Sequence, residues 1–247
     1  MNPSDTVLVI PCYRDGARLA GGLAGLCAAL VDGDGTVRVQ VVDDGSPPED
    51  QRVLATVIDG LRRRHAFLQP LLASPVNRGK GHAIRTGWDS APQAAWLAFV
   101  DADGAVPATE VAALVRRAQQ SSQPALFTGD RCAPGGRTVH RFWYRRIGSR
   151  LFNAWVRRLL ELDLPDTQCG LKVVPASLYR SDPWSEDGFA FDLELLLRAR
   201  AIGLPVVRQP ISWQEKPGST LGPGAMWGLF AAAHRLSRIQ GRQGGGH

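Results

Sequence analysis

The chain is predicted to be an α/β domain with a mostly parallel sheet and helices on both faces. Three observations predict this. Over roughly the first half of the sequence, short apolar runs alternate with amphipathic stretches of helical length, the pattern of strand–helix–strand units. The 247 residues are 44% hydrophobic and 21% charged, enough for one sizeable core and ordinary for a folded protein. Several of the apolar runs end on aspartates, and such sheets bind ligands beyond the carboxyl ends of their strands.

The elements follow in order. "TVLVIP" reads as a buried strand stopped at Pro11, and "ARLAGGLAGLCAALV" as a helix weakened by its glycines. "VRVQVVDDGS" is a second strand ending on Asp43 and Asp44. "PPEDQRVLATVIDGLRRR" opens on prolines and acids and closes on arginines, as the helix dipole favours. "FLQPLLAS" is a short strand, and "GKGHAIRTGWDSA" a helix started by glycine. "AAWLAFVDADG" is a fourth strand ending on Asp101 and Asp103. "PATEVAALVRRAQQS" is a helix beginning at Ala108 or Thr109, and "PALFTGDR" a further strand ending near Asp130.

The second half differs. No acid occurs from Arg131 to Leu160, where arginines are interleaved with aromatics. Tyr144, Ile147, Leu151 and Trp155 fall at helical spacing and predict a basic amphipathic helix. "DTQCGLKVV" reads as a loop entering a strand, and "GFAFDLELLLRARAIG" as a helix stopped at Gly203. "LPVVRQPISWQ" reads as one final strand, "EKPGST" as a polar loop and "MWGLFAAAHRLSRIQ" as a C-terminal helix. The expected division is a catalytic domain over 1–222, then the helix and a disordered tail over 223–247.

The formal charge is +6 and the pI about 9.6. Of 29 basic residues the lysines are Lys80, Lys172 and Lys216 alone. Arginine-favouring codon usage accounts for this, and so does a need to meet anions. The four cysteines and five histidines lack ligand spacing, which argues against a zinc site or disulfide framework and fits a reducing compartment. The run Val7–Ile10 is too short for a signal peptide, and nothing approaches the ~20 apolar residues of a membrane span. The expected location is cytoplasmic, with any membrane contact peripheral.

Asp101 and Asp103 admit two readings. As Asp-x-Asp at a strand end, they would hold Mg²⁺ or Mn²⁺ against a diphosphate. As turn residues, they would simply be solvated. Asp43 and Asp44 would read a nucleobase or ribose, or stabilise a turn. "NRGKGHAIRTG" offers free N–H groups and Lys80 to an anion, or is a flexible helix entry.

The order Pro-x-Tyr, Asp-Asp-Gly-Ser, Asn-x-Gly-Lys-Gly, Asp-Ala-Asp-Gly resembles the family 2 inverting glycosyltransferases of the GT-A fold. "DTQCGLKVV", "FAFDLELLLRARAIGLPV" and "ISWQEKPGST" resemble their dolichyl-phosphate glucosyltransferase branch, over roughly residues 6 to 220. The resemblance implies a metal-dependent hexosyltransferase, moving glucose from UDP-glucose to a polyprenyl phosphate with inversion. Pro11, Tyr13, Asp43 and Asp44 would frame the uridine. Lys80 and Asp101 would sit near the nucleotide, Asp101 and Asp103 would hold the Mg²⁺ or Mn²⁺, and Arg131 would meet phosphate. Gln168 would lie beside the sugar, and Lys216 would stand in for the lysine often found after Gly-Ser. The chain departs from the family at Arg14-Asp15, where Asn-Glu is usual, and at "TGDR", where Gly-Ser-Arg is usual.

A phosphate acceptor is already anionic, whereas a hydroxyl acceptor needs a base. Asp166 would be that base, or would hold its loop by hydrogen bonds. The basic–aromatic stretch over 131–158 and the C-terminal helix would face lipid, or pack on the core. The alternative within the enzyme class is transfer to a soluble hydroxyl in glycan or natural-product assembly. A nucleic-acid module would suit the charge, but no binding motif accompanies it. A dehydrogenase would want Gly-x-Gly-x-x-Gly where "PCYRDGAR" stands.

Overall fold

The computed structural model describes residues 5–31, 36–133, 138–139, 143–181, 183–214 and 223–243. Lys216 lies outside them, as do residues 244–247 of the expected tail. The strands β1 (Thr6–Cys12), β2 (Val37–Asp43), β3 (Leu72–Ala73), β4 (Trp96–Val100) and β5 (Leu126–Asp130) alternate with the helices α1 (Gly16–Val31), α2 (Pro48–Arg62), α3 (Lys80–Asp89) and α4 (Ala108–Gln119). Then come β6 (Thr138–Val139), α5 (Trp143–Leu160), β7 (Leu171–Pro175), α6 (Ala176–Arg180), α7 (Phe191–Ala201), β8 (Val206–Pro210), β9 (Trp213–Gln214) and α8 (Pro223–Gln243).

The main sheet has the order β3-β2-β1-β4-β7-β5-β8. β1 pairs in parallel with β2 and β4, and β5 pairs in parallel with β8. β7 is inserted between β4 and β5 and runs antiparallel to both. A small second sheet joins β6 to β9.

Both faces of the sheet are covered, so its strands read as continuous apolar runs rather than alternating ones. Successive side chains still take opposite faces. Val7 and Val9 pack with Ile84, Trp88, Phe99 and Phe191 on the face of α3, α5, α7 and α8. Leu8 and Ile10 pack with Leu23, Leu54, Ile58 and Leu114 on the face of α1, α2 and α4. Trp88 is 1% exposed, and its indole N–H donates to the Ala98 carbonyl at 3.0 Å. That bond lets the polar edge of a large ring sit inside the core.

Four features depart from the sequence expectation. β1 continues through Pro11, which pairs with Val42 beyond the last residue paired to β4. "LPVVRQPISWQ" is split into β8 and β9, because Ile211 turns inward and is fully buried. Among the described side chains of α5 the buried apolar ones are Phe152, Val156 and Leu160, four apart, with Asn153 buried beside them, while Leu151 is 67% exposed; the side chains of Tyr144 and Ile147 lie outside those described. The helix has apolar residues on two sides, and its packing against α8 selects a stripe other than the one through Leu151. Trp155 is partly buried there, its ring 4.7 Å from that of Phe230. The expected tail is also helical as far as Gln243.

The phase of α5 is open to a simple check. Phe152→Ala should cost about 3–5 kcal/mol, whereas Leu151→Ala should stay within about 0.5 kcal/mol. Urea unfolding of the two variants measures both, and equal losses would reject this packing.

Candidate active site

A cleft of about 480 Å³ opens at the carboxyl ends of β1, β2 and β4, beside the first turn of α3. Parallel strands bring their ends to one rim, so residues far apart in the chain meet there. Pro11, Tyr13, Asp44, Lys80, Asp101 and Asp103 line it, six of the residues singled out from sequence. Cys12, Asp15, Arg18, Asn77 and Phe189 line it too. Burial pushes the Cys12 thiol up to about 12, so it is a neutral wall group rather than a nucleophile.

Adjacent in sequence, Asp43 and Asp44 do different work. Asp43 is 1% exposed and lies outside the cleft lining. Its carboxylate accepts the Ser46 backbone N–H at 2.8 Å, the Ser46 hydroxyl at 2.6 Å and the Gln51 amide at 2.9 Å. Asp44 accepts the backbone N–H groups of Arg78 at 3.1 Å and Gly79 at 2.6 Å. Burial raises its pKa, against the pull of those two N–H groups. Gly79 has φ +113°, and a Cβ there would stand 2.6 Å from the Asp187 carbonyl. Glycine is therefore required where the loop passes under the start of α3.

Asp101 and Asp103 follow β4. The Asp101 N–H donates to the Gly170 carbonyl at 2.9 Å, which fixes the strand end against the start of β7. Lys80 Nζ lies 2.8 Å from Asp101 Oδ1 and 3.1 Å from Asp192 Oδ2. Burial opposes the Lys80 charge, but Asp101 and Asp192 outweigh it and raise the pKa. Asp103 accepts the Ala105 N–H at 2.9 Å. Its own pKa is raised by burial and by the neighbouring Asp101 charge, against Ala105, Arg18 and Lys80.

These surroundings fit a hard divalent cation. Carboxylate oxygens are the donors that Mg²⁺ and Mn²⁺ prefer. Two carboxylates repelling each other in a partly buried place gain when a cation arrives. A Cβ on residue 170 would stand 1.8 Å from Asp101 Oδ2, so glycine there makes room for the carboxylate. A second cluster, Asp130, Cys132 and Asp166, gathers ligand atoms within 4.8 Å. Its charges are already met: Asp130 accepts Arg208 Nε at 2.8 Å, and Asp166 is paired with Arg131.

Arg131, Asp166 and Gln168 stand outside the cleft lining. Asp166 accepts Arg131 Nε and Nη2 at 2.7 Å each and the Arg131 backbone N–H at 3.2 Å. Burial works to raise the Asp166 carboxyl, but the Arg131 charge and hydrogen bonds hold it below the ordinary range. Gln168 Nε2 is buried and has no hydrogen-bond partner among the described residues. Sequence reasoning missed Asp192 and Lys172, although both lay within stretches that carried the family resemblance. Each follows a large apolar residue at the start of its element, and that was the available signal, since a charge in a buried run needs a partner.

The glycosyl transferase family 2 profile matches residues 7–185. The chain is 29% identical over 233 residues to the dolichyl-phosphate beta-glucosyltransferase of Drosophila melanogaster, covering 89% of this chain and 70% of that one. It is 26% identical over 258 residues to the polyprenol monophosphomannose synthase of Mycolicibacterium smegmatis, covering 96% of this chain and 90% of that one. Among solved structures it resembles glucosyl-3-phosphoglycerate synthase from Mycobacterium tuberculosis in complex with Mn²⁺, uridine-diphosphate and phosphoglyceric acid. The TM-score is 0.64 at 19% identity, over 94% of this chain and 78% of that one, a likeness of fold.

The Arg131–Asp166 pair has a pH signature. Because the folded Asp166 pKa is depressed, its contribution is present above the ordinary carboxylate value of about 3.9. It is lost as pH falls from there through the folded value. Asp166→Asn should cost about 3–5 kcal/mol at neutral pH and flatten the acid limb of stability. Thermal unfolding of both proteins between neutral and acid pH reads this, and parallel curves would count against it.

Proposed function

The chain belongs to glycosyl transferase family 2, and from that membership we propose that it moves glucose from UDP-glucose to a polyprenyl phosphate. It is a glycosyltransferase with the GT-A fold. The observation that carries the reading is the convergence of Asp44, Lys80, Asp101 and Asp103 on one cleft. The acceptor follows from the relatives, one named for dolichyl phosphate and one for polyprenol.

Pro11, Tyr13 and Asp44 would hold the uridine, and Asp43 would brace the turn that carries Asp44. Asp101 and Asp103 would hold Mg²⁺ or Mn²⁺, which supplies positive charge to the departing diphosphate. Lys80 would bring the α3 N-terminus and its own charge to the same group. An acceptor phosphate oxygen would form the new bond to the anomeric carbon as the bond to the UDP oxygen breaks on the opposite face. The electron pair leaves with UDP, and no proton need be removed from a phosphate that is already ionised. Under this reading Asp166 is no base; it orients Arg131 toward acceptor or donor phosphate. Gln168 Nε2, buried without a partner among the described residues, would donate to a sugar hydroxyl.

Lipid access would use the α5–α8 pair. Leu151 and Trp227 are 67% and 76% exposed, and Arg158 and Arg238 are exposed as well. Apolar tips beside arginines suit an anionic membrane surface. Among the described residues no helix is long and apolar enough to cross a membrane.

The test is transfer from labelled UDP-glucose with Mn²⁺, with and without a short polyprenyl phosphate. A chloroform-soluble labelled product that disappears with chelator is expected. UDP release without lipid product would move the acceptor to a soluble hydroxyl. Asp103→Ala should lower turnover at least about a hundredfold, since several kcal/mol of charge stabilisation goes with the cation. Near-normal turnover in a folded variant would sink the metal assignment.

A further inference from the structure

The Lys80 network extends below the cleft. Lys172 Nζ pairs with Asp192 Oδ1, while Lys80 holds Asp192 Oδ2 at 3.1 Å. The Lys172 and Asp192 side chains are 0% and 1% exposed. Lys172 also donates to the Cys169 carbonyl at 2.7 Å. Both ammonium groups stand over the Phe99 ring, at 5.1 Å and 5.6 Å from its centre. Charges therefore alternate along a line from Asp101 through Lys80 and Asp192 to Lys172.

Composition singles out this line. Among 29 basic residues there are three lysines, and two of them grip one buried aspartate. An arginine-rich chain keeps compact ammonium groups here. A planar guanidinium with its fork of donors is a poor fit between a carboxylate, a ring face and a backbone turn. Stability alone is a weak reason for the arrangement, because buried ion pairs are often no better than apolar residues of the same volume.

We propose that Asp192, held by Lys172, is a positioning residue for the cation site. It takes a share of the Lys80 ammonium, so Lys80 does not neutralise Asp101 outright. Lys80 meets Asp101 Oδ1, and Asp101 Oδ2 lies on the side of Gly170. The Lys172 bond to Cys169 fixes the backbone next to that glycine. One oxygen of Asp101 is thereby left for a divalent cation. The inference rests on the proposed assignment of Asp101 and Asp103 to that cation.

The experiment is Mn²⁺ titration of the full chain with UDP present, followed by electron paramagnetic resonance and without turnover. Asp192→Asn alone leaves the buried Lys172 charge without its carboxylate, and Lys172→Met alone leaves Asp192 to Lys80, so neither single variant is the cleaner test. The double variant Lys172→Met/Asp192→Asn removes both charges and keeps the net charge. In the double variant, confirmed as folded by its melting curve, the Mn²⁺ dissociation constant should rise about tenfold or more. Its kcat at saturating Mn²⁺ should stay close to that of the parent, so the loss falls on metal affinity rather than on the chemical step. A folded double variant with parental Mn²⁺ affinity would overturn the inference while leaving the metal assignment standing. Mn²⁺ binding that survives Asp103→Ala would overturn both.

Discussion

The site depends on one backbone contact, the Asp101 N–H bonded to the Gly170 carbonyl. It exists because β7 enters the sheet antiparallel beside β4. The end of β4 and the beginning of β7 then meet at the same rim. A parallel neighbour would have put the loop before β7 at the opposite edge. With the reversal, the segment Asp166–Gly170 lies against the paired carboxylates, and Arg131 at the end of β5 is within reach of Asp166. Gly170 is the price of this closeness, since any side chain there collides with Asp101.

A chain of net charge +6 thus builds an acidic centre, and its basic residues are distributed to manage it. Lys80 and Lys172 sit beneath the carboxylates, and Arg18 is drawn to Asp15 on the cleft wall. The raised pKa values of Asp44 and Asp103 show burial outweighing local donors. Those of Asp166 and Asp192 are lowered, because a fully engaged cation outweighs the same burial. Among the described residues, the difference between the two groups is whether a cation of the protein itself pairs with the carboxylate.

Much of this was legible in the sequence. Apolar runs ending on Asp43-Asp44 and Asp101-x-Asp103 marked strand ends, and strand ends of a parallel sheet share a rim. The glycine-rich start of α3 was legible too, because few other reasons place two glycines around a lysine there. The direction of β7 was not, since "LKVV" reads the same for either orientation of a strand covered on both faces. The face that α5 buries was not legible, because apolar residues occupy two sides of that helix and its packing on α8 decides between them. Asp43 and Asp44 looked equivalent as neighbours, yet successive residues at a strand end point opposite ways. Lys172 was hidden for the opposite reason: it lies in a strand that otherwise reads as apolar, and its partner is 20 residues away.

The same electrostatics bear on the acceptor. General-base catalysis asks for a carboxylate whose pKa is raised toward neutrality. Asp166, in the segment before β7, and Asp192, paired with Lys172 of β7, are instead held low, Asp166 by an arginine and Asp192 by two lysines. The raised ones, Asp44 and Asp103, are those assigned to the nucleotide and the cation. A hydroxyl acceptor would arrive needing a base that this arrangement does not favour. A phosphate acceptor would arrive already ionised, needing positive charge to tolerate its approach to a departing diphosphate. Under the proposed function Arg131 and Lys80 would supply that positive charge, and on this ground the phosphate reading is proposed ahead of the hydroxyl one.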